Sequence, residues 1–158
     1  MKTSEFFIEK DAAKVEELIK SLNKLLATYQ VYYQNLRGLH WNIAGPEFFQ
    51  LHAKFEELYT LTAVTIDDIA ERILSLNGVP IHDFAGYLSE SSIAPVVNVA
   101  DGKTAIKTVY ENNTVILNHL YKSLQFAQAL EDEGTITYVT DKIGEVEKNM
   151  WMFKAASR

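Results

Sequence analysis

Residues His40–Ile73 read HWNIAGPEFFQLHAKFEELYTLTAVTIDDIAERI. Phe48, Leu51, Phe55, Leu58 and Thr62 step by three and four, the spacing of one face of an α-helix rather than the alternation of a strand. Asn42 to Gly45 read as a turn. Pro46 and Glu47 suit the first turn of the helix that follows, because proline has no amide hydrogen to leave unpaired and an acid favours the positive end of the helix. Asn77, Gly78 and Pro80 close the pattern, so the helix is predicted to run from about Pro46 to about Leu76. A helix this long with a single apolar face needs other helices to cover it.

The chain provides them. From about Asp11 to Leu39 the series Val15, Leu18, Ile19, Leu22, Leu25, Leu26, Tyr29, Tyr32, Tyr33, Leu36 forms one stripe on a long first helix. Ile81 to Val99 reads as a long connection with a short helix near Phe84 to Ser91. A third long helix opens after Asp101, a residue suited to capping, and carries Ile106, Val109, Asn113, Ile116, Leu120, Leu124 and Ala127 on one face until about Glu131. A last helix places Ile136, Val139, Ile143, Val146, Met150 and Phe153 inward. Four long helices with one long crossover between the second and third describe an all-α, ferritin-like four-helix bundle, the crossover containing a short helix.

With 158 residues the chain suits a single domain, residues 1–158. It has no cysteine, which excludes thiolate ligation, disulfides and thiol catalysis. No segment approaches the roughly 20 apolar residues needed to span a bilayer, and MKTSEFFIEK lacks the apolar run of a leader, so a cytoplasmic protein without membrane contact is expected. The net charge of −6 and the lack of clustered Lys and Arg work against nucleic-acid binding.

Bundles of this kind often hold metal, usually between Glu-x-x-His pairs of one chain. Here the residues three before His40, His52, His82 and His119 are Arg37, Phe49, Val79 and Ile116, so that intrachain centre is not expected. The second helix instead carries two pairs at i and i+4, His52 with Glu56 and Asp67 with Glu71. They lie roughly 22 Å apart along the helix but within about 60° in rotation. One ion cannot bridge them in one chain. Two chains packed antiparallel about a two-fold axis can bring them together, because 52/71 and 56/67 share one midpoint: His52 then faces the partner copy's carboxylate at 71, and Glu56 the one at 67. Symmetry makes two equal sites. Ala63 sits near the axis, and His40 arrives from the end of the first helix as a further ligand.

The motifs HWN, LHAKFEELY, DDIAERI and NGVP, with EVEKNMWMFKA near the end, resemble the Dps family of mini-ferritins, the DNA-binding proteins from starved cells, over nearly the whole chain. The resemblance implies a hollow homododecamer with ferroxidase centres at two-fold interfaces, formed by His40, His52, Glu56, Asp67 and Glu71. It implies oxidation of Fe(II), preferably by hydrogen peroxide over dioxygen, and storage of the ferric mineral, which protects against oxidative damage. The family usually has Asp where this chain has Glu56, a carboxylate displaced by about one bond length. Imidazole and carboxylate together suit Fe(II) and also Zn(II), so zinc is a possible substitute in the site.

Trp41, beside His40, is an electron donor by the resemblance and a packing residue otherwise. His82 and His119 have no carboxylate one turn away and read as structural, Asp68 as solvated or ion-paired. The acidic stretch Glu131 to Glu133, with Asp141 and Glu145, reads as lining an iron entry pore or the cavity wall near a three-fold axis, or more commonly as a solvated helix cap. The alternative function class is a non-catalytic metal-binding or DNA-coating helical shell. DNA binding is not expected: the stretch before the first helix offers only Lys2 and Lys10 against Glu5 and Glu9, and the C-terminal end only Lys148, Lys154 and Arg158.

Overall fold

The computed structural model describes residues 10–158. Met1–Glu9, which hold most of the stretch read above for a leader and a basic arm, lie outside the described residues. All regular structure among the described residues is helical: α1 Ala12–Asn42, α2 Phe48–Ser75, α3 Phe84–Glu90, α4 Gly102–Ala129 and α5 Glu133–Ala156. α1 packs along α2 and α4 and carries α3, while α4 pairs with α5. This is the four-helix bundle with a short helix in its crossover.

The starts follow from side-chain capping. Asp11 accepts from the amides of Ala13 and Lys14, Asp83 from Gly86 and Asp101 from Thr104, each occupying a helix N–H that has no partner within its own helix. α2 differs from the expectation: Pro46 and Glu47 stay in the turn, Gly45 takes φ 97°, and the helix begins at Phe48 without a side-chain cap. The tight left-handed step at Gly45 uses up the residues that would have formed the first turn.

Two ends matter for the site. α2 stops with Asn77 at φ 62°, so that Gly78 N–H reaches Ile73 C=O at 2.9 Å and Asn77 N–H reaches Leu74 C=O at 2.9 Å. α4 stops the same way, with Glu131 at φ 53° and Asp132 N–H on Ala127 C=O at 2.9 Å. These are left-handed caps that satisfy otherwise orphaned carbonyls. The second delivers Asp132 inward just before α5.

The expected stripes form the core. Leu18, Leu22, Leu25, Leu36, Phe55, Val109, Ile116, Leu120 and Val139 are fully buried. α1 buries a second face as well, through Ala27, Thr28, Val31 and Asn35, because the crossover lies across it. There the asparagines act as clamps. Asn35 donates to Ala94 C=O at 3.1 Å and accepts from Val96 N–H at 2.9 Å; Asn23 donates to Val79 C=O at 3.0 Å and accepts from Ile81 N–H at 2.8 Å. A crossover has no ladder of its own, so these side chains pair its backbone.

Candidate metal centre

The turn between α1 and α2 brings His40 and His52 together. Their rings stack at 3.8 Å between centroids. His40 Nδ1 lies 2.7 Å from the His52 carbonyl oxygen, and His52 Nδ1 lies 2.9 Å from the His40 carbonyl oxygen. A carbonyl only accepts, so each Nδ1 carries a hydrogen and Nε2 is the ring nitrogen left over for a ligand. Carbonyl contacts of this kind fix ring orientation at metal sites.

The backbone explains why the His40 carbonyl is available. It lies in the last turn of α1, where the Ala44 N–H would ordinarily bond to it; that N–H turns instead to Ala100 C=O at 2.9 Å. Aromatic side chains cover the pair, Phe48 stacking on His52 at 4.9 Å and Tyr59 meeting the His40 ring edge-on at 5.3 Å. His40 is buried and His52 half-buried. The sequence pointed to His40 as a ligand but not to this reciprocal contact, whose only trace is two histidines placed either side of a tight turn.

Glu56, Asp67 and Glu71 are exposed on α2. The structure keeps Asp67 and Glu71 far along the helix from the histidines of their own chain. Among the described residues no three His, Cys, Asp or Glu side chains gather to hold a metal ion. Between the two pairs, Thr60, Ala63 and Val64 are exposed on the same side of α2, an uncharged strip flanked by carboxylates. An imidazole pair whose Nε2 atoms are left over for a ligand, together with hard carboxylate oxygens, is a donor set that fits Fe(II) or Zn(II).

Other singled-out residues fall elsewhere. Trp41 is exposed, with the Arg37 guanidinium 4.7 Å from its ring centre. His82 is exposed with Nδ1 on the Pro80 carbonyl. His119 is half-buried, and burial, then Lys24 and Lys122, hold its pKa below the usual value. Asp132 is neither a pore residue nor a solvated cap: it is buried. Lys10 Nζ contacts it at 2.5 Å, Arg72 Nη2 reaches both of its oxygens at 2.7 and 2.9 Å, and the Thr135 hydroxyl donates to it. Burial raises its pKa, but these donors outweigh burial and bring it down to about 2.

Residues 19–157 match the ferritin family, described as a ferritin-like domain. The chain is 37% identical over 140 residues to the DNA protection during starvation protein 2 of Bacillus anthracis, covering 89% of this chain and 96% of the relative. It is 39% identical over 140 residues to the general stress protein 20U of Bacillus subtilis, covering 89% and 97%. The crystal structure of the Dps protein of Vibrio cholerae O1, described as a member of a broad superfamily of ferritin-like diiron-carboxylate proteins, is similar with a TM-score of 0.92 and 42% identity, over 94% of this chain and 93% of that one.

Proposed function

The chain belongs to the Dps family of ferritin-like proteins, and on that premise we propose that it oxidises Fe(II) at centres shared between two copies and stores the ferric product within a hollow dodecamer. Iron storage and protection is the family's general activity. The observation that carries the finer reading is the separation on α2. Two histidines are locked with both Nε2 atoms available at one end, two carboxylates stand exposed at the other, and neither pair completes a site alone. The uncharged strip with Ala63 between them supports a helix-to-helix contact about a two-fold axis.

In this reading Fe(II) is a substrate. His52 and His40 present imidazole nitrogen, the partner's counterparts of Asp67 and Glu71 present carboxylate oxygens, and Glu56 adds an oxygen toward a second ion. The carboxylates offset the cation's charge, and Phe48 and Tyr59 keep water from the imidazole flanks. Two Fe(II) ions give one electron each to one hydrogen peroxide, which takes two protons and leaves as two waters. Peroxide is proposed as the preferred oxidant over dioxygen. Zn(II) fits the same donors and, being without redox chemistry, is proposed as an occupant that blocks turnover.

Fe(II) added aerobically, with and without peroxide, tests the reading. Ferric absorbance should rise well above the protein-free rate, faster with peroxide, and prior Zn(II) should suppress it. A rate equal to the protein-free control would leave a non-catalytic metal-binding shell as the better account.

A further inference from the structure

At the far end of α2 a cation stands among carboxylates yet is turned away from them. Arg72 follows Glu71 and lies one turn beyond Asp68. An acid four residues before an arginine is the favoured orientation for a helical ion pair, so Asp68 and Arg72 would ordinarily meet. They do not. Arg72 instead points at α5, with Nη2 on both oxygens of Asp132 and Nε on the Thr135 hydroxyl at 2.8 Å. Gly134 allows this approach, since a Cβ there would sit 3.0 Å from Arg72 Nη1 and 3.3 Å from its central carbon. Asp132 is also held by Lys10 and Thr135, so the acceptor has partners besides the arginine.

The consequence falls on a hollow of about 450 Å³ lined by Asp68, Glu71, Arg72, Ser75, Gly134 and Tyr138. Neither Asp68 nor Glu71 has an ion pair among the described residues. Burial pushes the Tyr138 hydroxyl up, and the charges of Asp68 and Glu145 push it further. Arg72 lines this hollow, but with its Nη2 on Asp132 it forms no ion pair with Asp68 or Glu71.

We propose that Asp132 is a positioning residue that withholds Arg72 from the carboxylates of Asp68 and Glu71, keeping that hollow open to a divalent cation. The inference rests on the reading of Glu71 as a metal ligand. It makes a distinctive demand: freeing the arginine should harm cation binding, and removing the freed arginine should repair it. A clasp that mattered only for packing would show no repair.

The test uses the assembled protein and Zn(II) alone, its affinity read by competition with a chromophoric chelator. Asp132→Asn should weaken zinc binding roughly five- to tenfold, the effect of a cation placed beside a partly exposed site. The double variant Asp132→Asn/Arg72→Gln should return to within about twofold of the parent. Gly134→Ala, which crowds the guanidinium off α5, is the milder second variant, and Arg72→Gln should repair it likewise. Parent-like zinc binding in both Asp132→Asn and Gly134→Ala, or double variants no better than the single ones, would overturn the proposal. Glu71→Gln separates the two levels. If it loses zinc while the clasp variants do not, the withholding role alone fails; if it binds as the parent does, the ligand assignment fails and the proposal with it.

Discussion

Replacing Asp132 by Asn should make the protein less stable at neutral pH and leave it equally stable in acid. The carboxylate is held at about 2 instead of 3.8 because bonds from Lys10, Thr135 and Arg72 outweigh the cost of burial. A folded pKa below the unfolded one contributes stability above pH 4, and that contribution disappears as pH falls through the folded value. The full shift corresponds to at most about 2.5 kcal/mol. Asp132 itself is only 5% exposed, but its partners Lys10 and Arg72 are 30% and 27% exposed, so water screens part of the attraction. About 1–2 kcal/mol is therefore expected at pH 7. Urea midpoints of parent and variant, taken at one protein concentration because assembly contributes to apparent stability, measure the difference between pH 7 and pH 2. The two should converge between pH 4 and pH 2. A gap that stays constant over that range, or is absent at pH 7, would refute the charge-based argument.

Other outcomes follow from the same geometry. His52→Ala or Asp67→Ala should lose rapid Fe(II) oxidation while size-exclusion profiles match the parent, because neither side chain belongs to the buried core of the bundle; parent-rate oxidation by both would disprove the assignment. Asn35→Leu removes the two bonds to Ala94 and Val96 from a buried position. A loss of about 1–2 kcal/mol by denaturant titration is expected, since part of the freed crossover backbone can turn to water. Plasmid DNA at low salt and neutral pH, without added divalent metal, should run unshifted, and retention in the well by the assembled protein would contradict this.

The bundle was legible because its information is periodic. The stripes of α1, α2, α4 and α5 and the breaks at Asn77–Gly78 and Asp101 needed no tertiary contact to be read, and the short crossover helix was expected within one residue of α3. Features that depend on partners distant in sequence were not legible. Asp132 sits in an acidic run that looks solvated, and only its packing against Arg72 and Lys10, 60 and 122 residues away, makes it a buried clasp. Asn23 and Asn35 likewise gave no sign that they pair the crossover backbone. The start of α2 was misplaced by two residues, because Gly45 adopts a left-handed conformation that propensity alone does not reveal. For the candidate site, residue types and spacing were visible, and so was the inability of one chain to gather them. The reciprocal carbonyl bonds that orient His40 and His52 required the geometry of the turn.

The sharing of sites between chains is tested most directly by mixing two inactive variants. His52→Ala and Asp67→Ala subunits, unfolded together and reassembled at random, form mixed contacts at about half of the two-fold interfaces. In each, one site carries both defects and the other takes an intact histidine from one chain and an intact aspartate from its partner. Roughly a quarter of all sites are then whole, while either variant alone has none. Rapid Fe(II) oxidation recovering to about a quarter of the parent rate is the expected result. Background activity in shells shown by mass spectrometry to contain both subunits would contradict the interchain centre.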